Sequence, residues 1–144
     1  MAGARFSQVN LVARDLPASL AFYRRLGLEI PAGAIWEVGG AAHHATANTV
    51  GEVDLEFDSH RLAHAYNRGF GAERGRVIIG VELESRKAVD RLWTSLLAEG
   101  AQGLQPPYDA FWGARYAVVE DPDGNPVGLM SPVDPARRSA PPEL

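Results

Sequence analysis

The chain has 144 residues and a formal net charge of −4 at pH 7, which fits one domain and argues against nucleic acid as a partner, because phosphate binding needs a basic face. It contains no cysteine, so disulfides, thiolate metal sites and cysteine nucleophiles are excluded. No apolar run approaches the ~20 residues of a membrane helix, and no signal-peptide pattern opens the chain, so we expect a cytoplasmic location and no membrane partner.

The first half of the chain predicts a strand, a helix and three further strands. Residues 6–14 alternate in polarity with period two, as in a strand with one apolar face. Asp15 and Pro17 then suit the first turn of a helix, and Gly27 ends it. Further strands are predicted over 28–31, near 43–49 after a loop, and over 52–58.

The second half repeats this order after a short helix predicted over 61–67. Residues 77–83 alternate again, Ser85 suits an N-cap, and an amphipathic helix that holds Trp93 in its apolar stripe ends at Gly100. The remaining strands are predicted within 104–111, 114–120 and 127–131, with a tight turn at 121–124 between the last two.

The repeated order predicts an α+β fold built from two βαβββ modules. Neither module can bury a sheet face alone at this length, so we expect them to pack side by side as one mixed sheet. The helices should cover its outer face, and the polar strand faces should line a shared concave cleft. We expect one domain over 1–132, with modules at about 5–69 and 75–132, and a mobile, proline-rich tail over 133–144.

Three segments carry a family resemblance: FSQVNL at 6–11, DLPASLAFY at 15–23 and VVEDPDGNPVGLM at 118–130. In this order they resemble the vicinal oxygen chelate superfamily, which includes glyoxalase I, bleomycin resistance proteins and extradiol dioxygenases. The resemblance extends over roughly 5–132 and implies the vicinal oxygen chelate fold. It does not name a reaction, because the superfamily is functionally broad.

Metal-dependent members of that superfamily place four ligands on the cleft-facing strands. The resemblance maps those positions onto Gln8, Glu56, Arg76 and Gly128. Gln8 and Glu56 offer oxygen atoms, but a guanidinium has no lone pair to give and a glycine has no side chain. An arginine beside the site would also repel a cation. We therefore predict no metal and no cofactor.

Arg76 has two alternative placements. It could meet Glu56 across the cleft floor as an ion pair that holds the two modules together where the metal would have been. The alternative is that both side chains reach solvent separately.

Aromatic residues cluster in the segments expected to wall the cleft. Trp36 lies in a glycine-flanked loop, and Tyr108, Phe111 and Trp112 follow two prolines. Such walls favour planar ligands, although these side chains could instead fill the core or a dimer interface. The predicted ligand-binding residues are Gln8, Asn10, Trp36, Glu56, Arg76, Tyr108, Phe111, Trp112 and Met130.

The four histidines leave alternatives open. His60 and His64 are spaced i, i+4 on a predicted helix and could present two imidazoles to zinc, but no third ligand is evident. His43 and His44 point to opposite faces of a strand and cannot chelate as neighbours, although either could touch the cleft. No catalytic residue is assigned.

The resemblance implies most directly a metal-free protein that sequesters a partly aromatic small molecule, such as an antibiotic, and that forms a homodimer. One alternative is a metal-dependent lyase or dioxygenase that uses Gln8 and Glu56, with His43 or His44 as a further ligand. Another is a metal-free isomerase or hydrolase with Glu56 as its base. The third is a structural or regulatory module without a small ligand.

Overall fold

A computed structural model describes residues 3–25, 28–49, 51–71, 77–120 and 125–144. The strands in these ranges are β1 (Arg5–Ala13), β2 (Ile35–Val38), β3 (Ala41–Ala47), β4 (Asp54–Ser59), β5 (Val77–Glu82), β6 (Gln102–Asp109), β7 (Arg115–Glu120) and β8 (Pro126–Met130). The helices are α1 (Leu16–Arg25), α2 (His60–Tyr66) and α3 (Arg86–Ala98). Within the described ranges, no helix is both long and apolar enough to cross a bilayer.

All eight strands form one mixed sheet in the order β2-β3-β4-β1-β5-β8-β7-β6. In each half the first strand pairs in parallel with the last, β1 with β4 and β5 with β8, and the two halves join through the antiparallel β1–β5 pair. This arrangement confirms the predicted α+β fold of two βαβββ modules.

The period-two patterns place apolar side chains on the outer face of the sheet. Phe57 is fully buried there against α1, with Leu20 in the same cluster, whereas Glu56 and Asp58 on the same strand lie on the inner face. In the second half, α3 packs Val89 against Leu129 in the same way. Burial of these side chains is the main force that holds α1 and α3 onto the sheet.

The predicted helix caps at Asp15 and Ser85 are confirmed. The Asp15 carboxylate accepts a hydrogen bond from the Ala18 N–H at 3.0 Å, and the Ser85 hydroxyl oxygen accepts one from the Ala88 N–H at 3.1 Å. Each cap satisfies a backbone donor that the first helical turn leaves without a partner. The end of α1 predicted at Gly27 and the turn predicted at 121–124 lie outside the described residues.

The prediction of a strand over 28–31 is wrong. Only Glu29 makes an isolated bridge there, to Asn48, and the strand lies instead at β2, where a loop was expected. Pro31 lacks the N–H that a ladder needs. Gly39 and Gly40, with φ of 59° and 79°, form the tight turn that joins β2 to β3 as a hairpin.

Helix α2 lies on the inner face of the sheet, which the sequence pattern did not predict. Its buried residues Leu62, Ala63 and Tyr66 pack against Val12 and Ile78. The expectation that helices cover the outer face therefore holds for α1 and α3 only. Helix α2 instead narrows the cleft from one side.

Residues 133–144, predicted to be a mobile tail, make backbone hydrogen bonds to the loop between β6 and β7. The Asp134 N–H donates to the Gly113 carbonyl and the Ser139 N–H to the Phe111 carbonyl, each at 3.0 Å. The Arg61 guanidinium donates to the Leu144 carbonyl at 3.3 Å. The mobility of the tail stays a prediction, but its first part has defined partners.

Replacing Gly113 by alanine should loosen this attachment. Gly113 has a φ of +100°, which L side chains rarely adopt, and an added Cβ would collide with the Asp134 carbonyl oxygen. We expect a loss of ~1–3 kcal/mol in unfolding free energy and faster tryptic cleavage after Arg137 and Arg138. Gly33→Ala is the matched control, because its Cβ would meet nothing within 4 Å; equal cleavage in both variants would contradict the assigned role of Gly113.

Candidate functional site

A cavity of about 320 Å³ opens on the inner face of the sheet. That volume falls in the range of small-molecule pockets. The lining residues are Gln8, Asn10, Trp36, His44, Glu56, Asp58, Leu62, Tyr66, Phe111, Trp112, Tyr116, Met130 and Val133. Most of the lining is apolar or aromatic, and the polar groups gather where β1, β3 and β4 run side by side.

The amides of Gln8 and Asn10 hold the two carboxylates of this polar floor. The pairing of β1 with β4 sets Asn10 opposite Glu56. The Gln8 amide nitrogen donates to Glu56 Oε2 at 3.1 Å and to Asn10 Oδ1 at 2.8 Å. The Asn10 amide nitrogen donates to Glu56 Oε2 at 3.0 Å and to Asp58 Oδ2 at 2.9 Å.

Asp58 is the most connected group of the floor. Its side chain is only 2% exposed, yet it has a hydrogen-bonding partner on each of three other elements. Besides the amide of Asn10, the Tyr66 hydroxyl donates to Oδ2 at 2.9 Å and His44 Nδ1 lies 2.7 Å from Oδ1. A carboxylate that donors surround in this way can stay charged when buried.

The surroundings of His44 and Glu56 raise the pKa values of both groups. Burial opposes the charged form of His44, but the hydrogen bond to Asp58 and the negative charges of Asp58 and Glu56 outweigh it and raise the pKa of the imidazole. Burial raises the pKa of the Glu56 carboxyl, and the positive charge of His44 offsets this only in part. Each group therefore holds its proton to a higher pH than it would in water.

Four aromatic side chains form the apolar wall. The rings of Trp36 and Phe111 stack at 5.9 Å with an interplanar angle of 29°. The ring of Trp112 meets that of Phe111 edge to face at 5.2 Å and that of Tyr116 at 5.1 Å. Because these rings hold one another in place, little side-chain entropy remains to be lost when a flat molecule binds.

Seven of the nine predicted ligand-binding residues line the cavity: Gln8, Asn10, Trp36, Glu56, Phe111, Trp112 and Met130. Tyr108 is not in the lining; its hydroxyl donates to the Tyr66 carbonyl at 3.3 Å, and burial raises its pKa. Arg76, and with it the predicted ion pair to Glu56, lies outside the described residues. Ligand binding by the seven residues stays a prediction.

The lining also contains residues that the predicted set omits: His44, Asp58, Leu62, Tyr66, Tyr116 and Val133. Asp58 shares the face of Glu56 by strand period, so the same pattern could have identified it. Leu62 and Tyr66 are spaced i, i+4 on α2, but only the observed position of that helix shows that this face meets the cavity.

The remaining histidines have other surroundings. His43 is buried with its Nδ1 at 2.8 Å from the Ser59 hydroxyl, outside the cavity lining, so it and His44 do point in different directions. His60 and His64 both place their rings against Phe70. In the described part of the chain no group of three or more histidine, aspartate or glutamate side chains is arranged to hold a metal ion.

Three of the four metal-ligand positions implied by the family resemblance are described: Gln8 and Glu56 offer oxygen atoms, and position 128 offers no ligating side chain. Gln8 turns its amide nitrogen, not its oxygen, toward Glu56. Position 128 has no side chain, and a Cβ there would lie 2.6 Å from the Tyr116 hydroxyl. The phenol of Tyr116 thus occupies the space that a ligand side chain at 128 would need.

The sequence profile described as "Glyoxalase/Bleomycin resistance protein/Dioxygenase superfamily" matches residues 5–129. The chain belongs to this superfamily. The match spans both modules, and it confirms the family that the sequence motifs indicated. No curated protein matches the chain.

Solved structures of superfamily members share the fold at low sequence identity. A member from Vibrio splendidus 12B01 has a TM-score of 0.57 and 14% identity over 90% of this chain and 100% of that one. The Mn(II)-bound glyoxalase from Novosphingobium aromaticivorans has a TM-score of 0.54 and 21% identity over 98% of this chain and 41% of that one. A variant of homoprotocatechuate 2,3-dioxygenase from B. fuscum has a TM-score of 0.59 and 14% identity, over 90% and 34% of the two chains.

The raised pKa of His44 predicts that stability falls with rising pH. Above the usual value of 6.5 the unfolded chain releases the imidazole proton while the folded chain keeps it. The stabilising contribution is therefore complete below pH 6.5 and is lost as pH rises through the folded pKa. Urea unfolding at a series of pH values should show this decline in the wild type and a flatter profile in His44→Gln, with His64→Gln unchanged from wild type. A decline above pH 6.5 that is as steep in His44→Gln as in the wild type would refute the assignment.

The short distance between the Tyr116 hydroxyl and a Cβ at position 128 predicts that substitutions at these two positions have non-additive effects on the free energy of unfolding. Gly128→Ala should lower the unfolding free energy by ~1–3 kcal/mol, because its Cβ meets the buried phenol. The same change in a Tyr116→Phe background should cost clearly less, since the hydroxyl is gone. A double-mutant cycle by chemical denaturation measures the difference, and additive costs would show that the hydroxyl does not fill this space.

Proposed function

We propose that this superfamily member binds a mid-sized, partly aromatic small molecule in its cavity without a resident metal, in the manner of bleomycin resistance proteins. The observation that carries the proposal is the preformed aromatic wall above a polar floor that is already hydrogen-bonded within itself. Such a site supplies flat contact area and a few oriented polar atoms, which is what small-molecule recognition requires.

The chemistry of the floor favours capture over metal-assisted turnover. Glu56 Oε2 accepts two amide hydrogen bonds, and the position of the fourth family ligand is a glycine beside a phenol. One structural neighbour named above is Mn(II)-bound, whereas position 128 of this chain offers no ligating side chain. A protein that sequesters its ligand needs only affinity, because stoichiometric binding lowers the free concentration of a toxic compound without turnover.

We further propose that the toxic compound is an antibiotic or another harmful metabolite and that the protein works as a homodimer. Strand β6 lies at one edge of the sheet and carries Pro106 and Pro107, which cannot donate to a neighbouring strand. A dimer would therefore use another surface. Sedimentation equilibrium of the purified protein would test this part of the proposal.

Binding should depend on the aromatic wall. Trp36→Ala and Phe111→Ala should each weaken the binding of planar aromatic compounds at least tenfold, ~1.4 kcal/mol, because each removes one face of the stacked pair. Titration calorimetry with a panel of polycyclic natural products measures the effect. Trp93→Phe is the control, since Trp93 packs on α3 against Gly103, away from the cavity. The proposal would be refuted if no compound of the panel bound to the wild type.

Metal analysis of the purified protein distinguishes a metal-free binding protein from a metal-dependent enzyme. Protein purified without chelators should retain far less than one equivalent of nickel, zinc, iron or manganese after dialysis. One equivalent of a divalent ion retained through dialysis, and lost in Glu56→Ala, would instead support a metal-dependent lyase or dioxygenase that uses Gln8 and Glu56.

A further inference from the structure

His44 and Asp58 form a hydrogen-bonded pair in the lining of the cavity. His44 Nδ1 lies 2.7 Å from Asp58 Oδ1. A carboxylate oxygen accepts hydrogen bonds, so Nδ1 carries the proton, and in the neutral ring Nε2 carries the lone pair. The side chain of Asp58 is 2% exposed and that of His44 is 28% exposed. The imidazole is therefore the more open member of the pair and the one that a ligand can reach.

The orientation of the His44 ring is fixed through Asp58. Asp58 Oδ2 accepts from the Asn10 amide and from the Tyr66 hydroxyl, each at 2.9 Å, which leaves Oδ1 to His44. Nε2 has one contact among the described residues, the Thr46 hydroxyl at 3.3 Å. That distance is long for a hydrogen bond, and a hydroxyl can rotate when another group approaches. Nε2 is therefore available to take a proton from a molecule in the cavity.

The neighbours of His44 also make it a stronger base than free imidazole. The hydrogen bond to Asp58 and the negative charges of Asp58 and Glu56 outweigh the effect of burial and raise the pKa of the ring. Once Nε2 has taken a proton, the ring is a cation at hydrogen-bond distance from the Asp58 carboxylate, which stabilises it. The pair therefore has the parts of a general base.

The aromatic wall supplies donors for a carbonyl oxygen. The Tyr116 hydroxyl and the indole N–H groups of Trp36 and Trp112 line the same cavity, and no residue in the described part of the chain accepts a hydrogen bond from them. These atoms are not fully buried, so a ligand can reach them. Such donors stabilise the negative oxygen that forms when a ketone loses a proton from the adjacent carbon. A base and these donors in one cavity suit proton transfer next to a carbonyl group.

We propose that the cavity is a proton-transfer site in which His44 Nε2 takes a proton from the carbon next to the carbonyl of a bound aryl ketone, while Asp58 positions the ring. This rests on the proposed function, because the aromatic wall has to hold the ketone. The C–H bond breaks, its electron pair forms the C=C bond of the enolate, and the carbonyl π electrons move to oxygen. The proton stays on His44 until a proton returns to the enolate, so no oxidant, reductant or co-reactant is needed.

Deuterium exchange of 2-tetralone in D₂O tests the inference. This aryl ketone has C–H bonds between its ring and its carbonyl, and proton NMR follows their exchange at alkaline pD, where the imidazole is neutral. The wild type should exchange them at least about a hundredfold faster than free imidazole at the same concentration, and the rate should saturate with ketone. His44→Ala should lose at least tenfold of this rate, and added imidazole should restore part of it. His64→Ala, with its ring against Phe70 and outside the cavity lining, should keep the full rate.

Asp58→Asn tests the positioning role. The new amide can turn its NH₂ group toward His44 Nδ1, which moves the ring proton to Nε2 and removes the lone pair. We expect the kcat of exchange to fall at least tenfold with little change in KM, and added imidazole should not restore it, because His44 still fills its place. The thermal midpoint confirms folding; if this variant did not fold, His44→Ala decides. A raised KM with unchanged kcat would overturn the positioning role.

Binding is measured separately, by quenching of tryptophan fluorescence, so that two kinds of failure are distinguishable. If 2-tetralone bound but exchanged equally fast with the wild type and with His44→Ala, the inference would be overturned and the proposed function would stand. Loss of exchange in Glu56→Gln together with full exchange in His44→Ala would make Glu56 the base and would also overturn it. If 2-tetralone did not bind, the inference would fail for aryl ketones, while the panel of polycyclic compounds would still decide the proposed function.

Discussion

The buried carboxylate of Asp58 is the constraint on which the site depends. An unpaired charge at this depth would cost several kcal/mol, so the surrounding chain has to supply donors. It does so from three directions, with Asn10 on β1, His44 on β3 and Tyr66 on α2. These hydrogen bonds set which nitrogen of the neutral His44 ring carries the proton and which way the Asn10 amide points. They also fix the position of α2 on the inner face of the sheet. A single carboxylate thereby orients most of the polar surface of the cavity.

Gly128 and Tyr116 share one small space on neighbouring strands of the sheet. Without a side chain at 128, the phenol of the neighbouring strand moves into the free space and extends the aromatic surface toward the floor. The space that a ligating side chain at 128 would need is therefore part of the aromatic wall of the cavity. The scaffold itself, two modules joined at β1 and β5, needs no change for this.

The sequence predicted the fold well wherever one physical signal dominated. Alternation along β1, β4 and β5 identified strands and faces, because only one face of each is apolar. The pattern missed β2, which has only four residues, whereas the strand predicted near 43–49 overlaps β3; the tight turn between them is marked in the sequence only by Gly39 and Gly40.

For the cavity, the same reasoning identified lining residues whose side-chain type alone suggests such a position, for example Trp36, Glu56 and Phe111. It omitted those whose role depends on tertiary position. Tyr66 and Leu62 have an ordinary helical spacing, and nothing local shows that α2 crosses the inner face. Tyr108 stands among cavity residues in the sequence, yet its hydroxyl bonds the end of α2 rather than reaching the cavity.

The hydrogen bond from Ser139 to the Phe111 carbonyl has a further consequence. The ring of Phe111 stands in the cavity wall while its backbone carbonyl holds the segment that contains Ser139, so one residue contacts both the cavity and that segment. If a guest strengthens the docking by some factor, then docking strengthens the affinity for that guest by the same factor. In that case a substitution at Ser139, outside the cavity lining, would change the affinity for the guest by the same factor as it changes the docking.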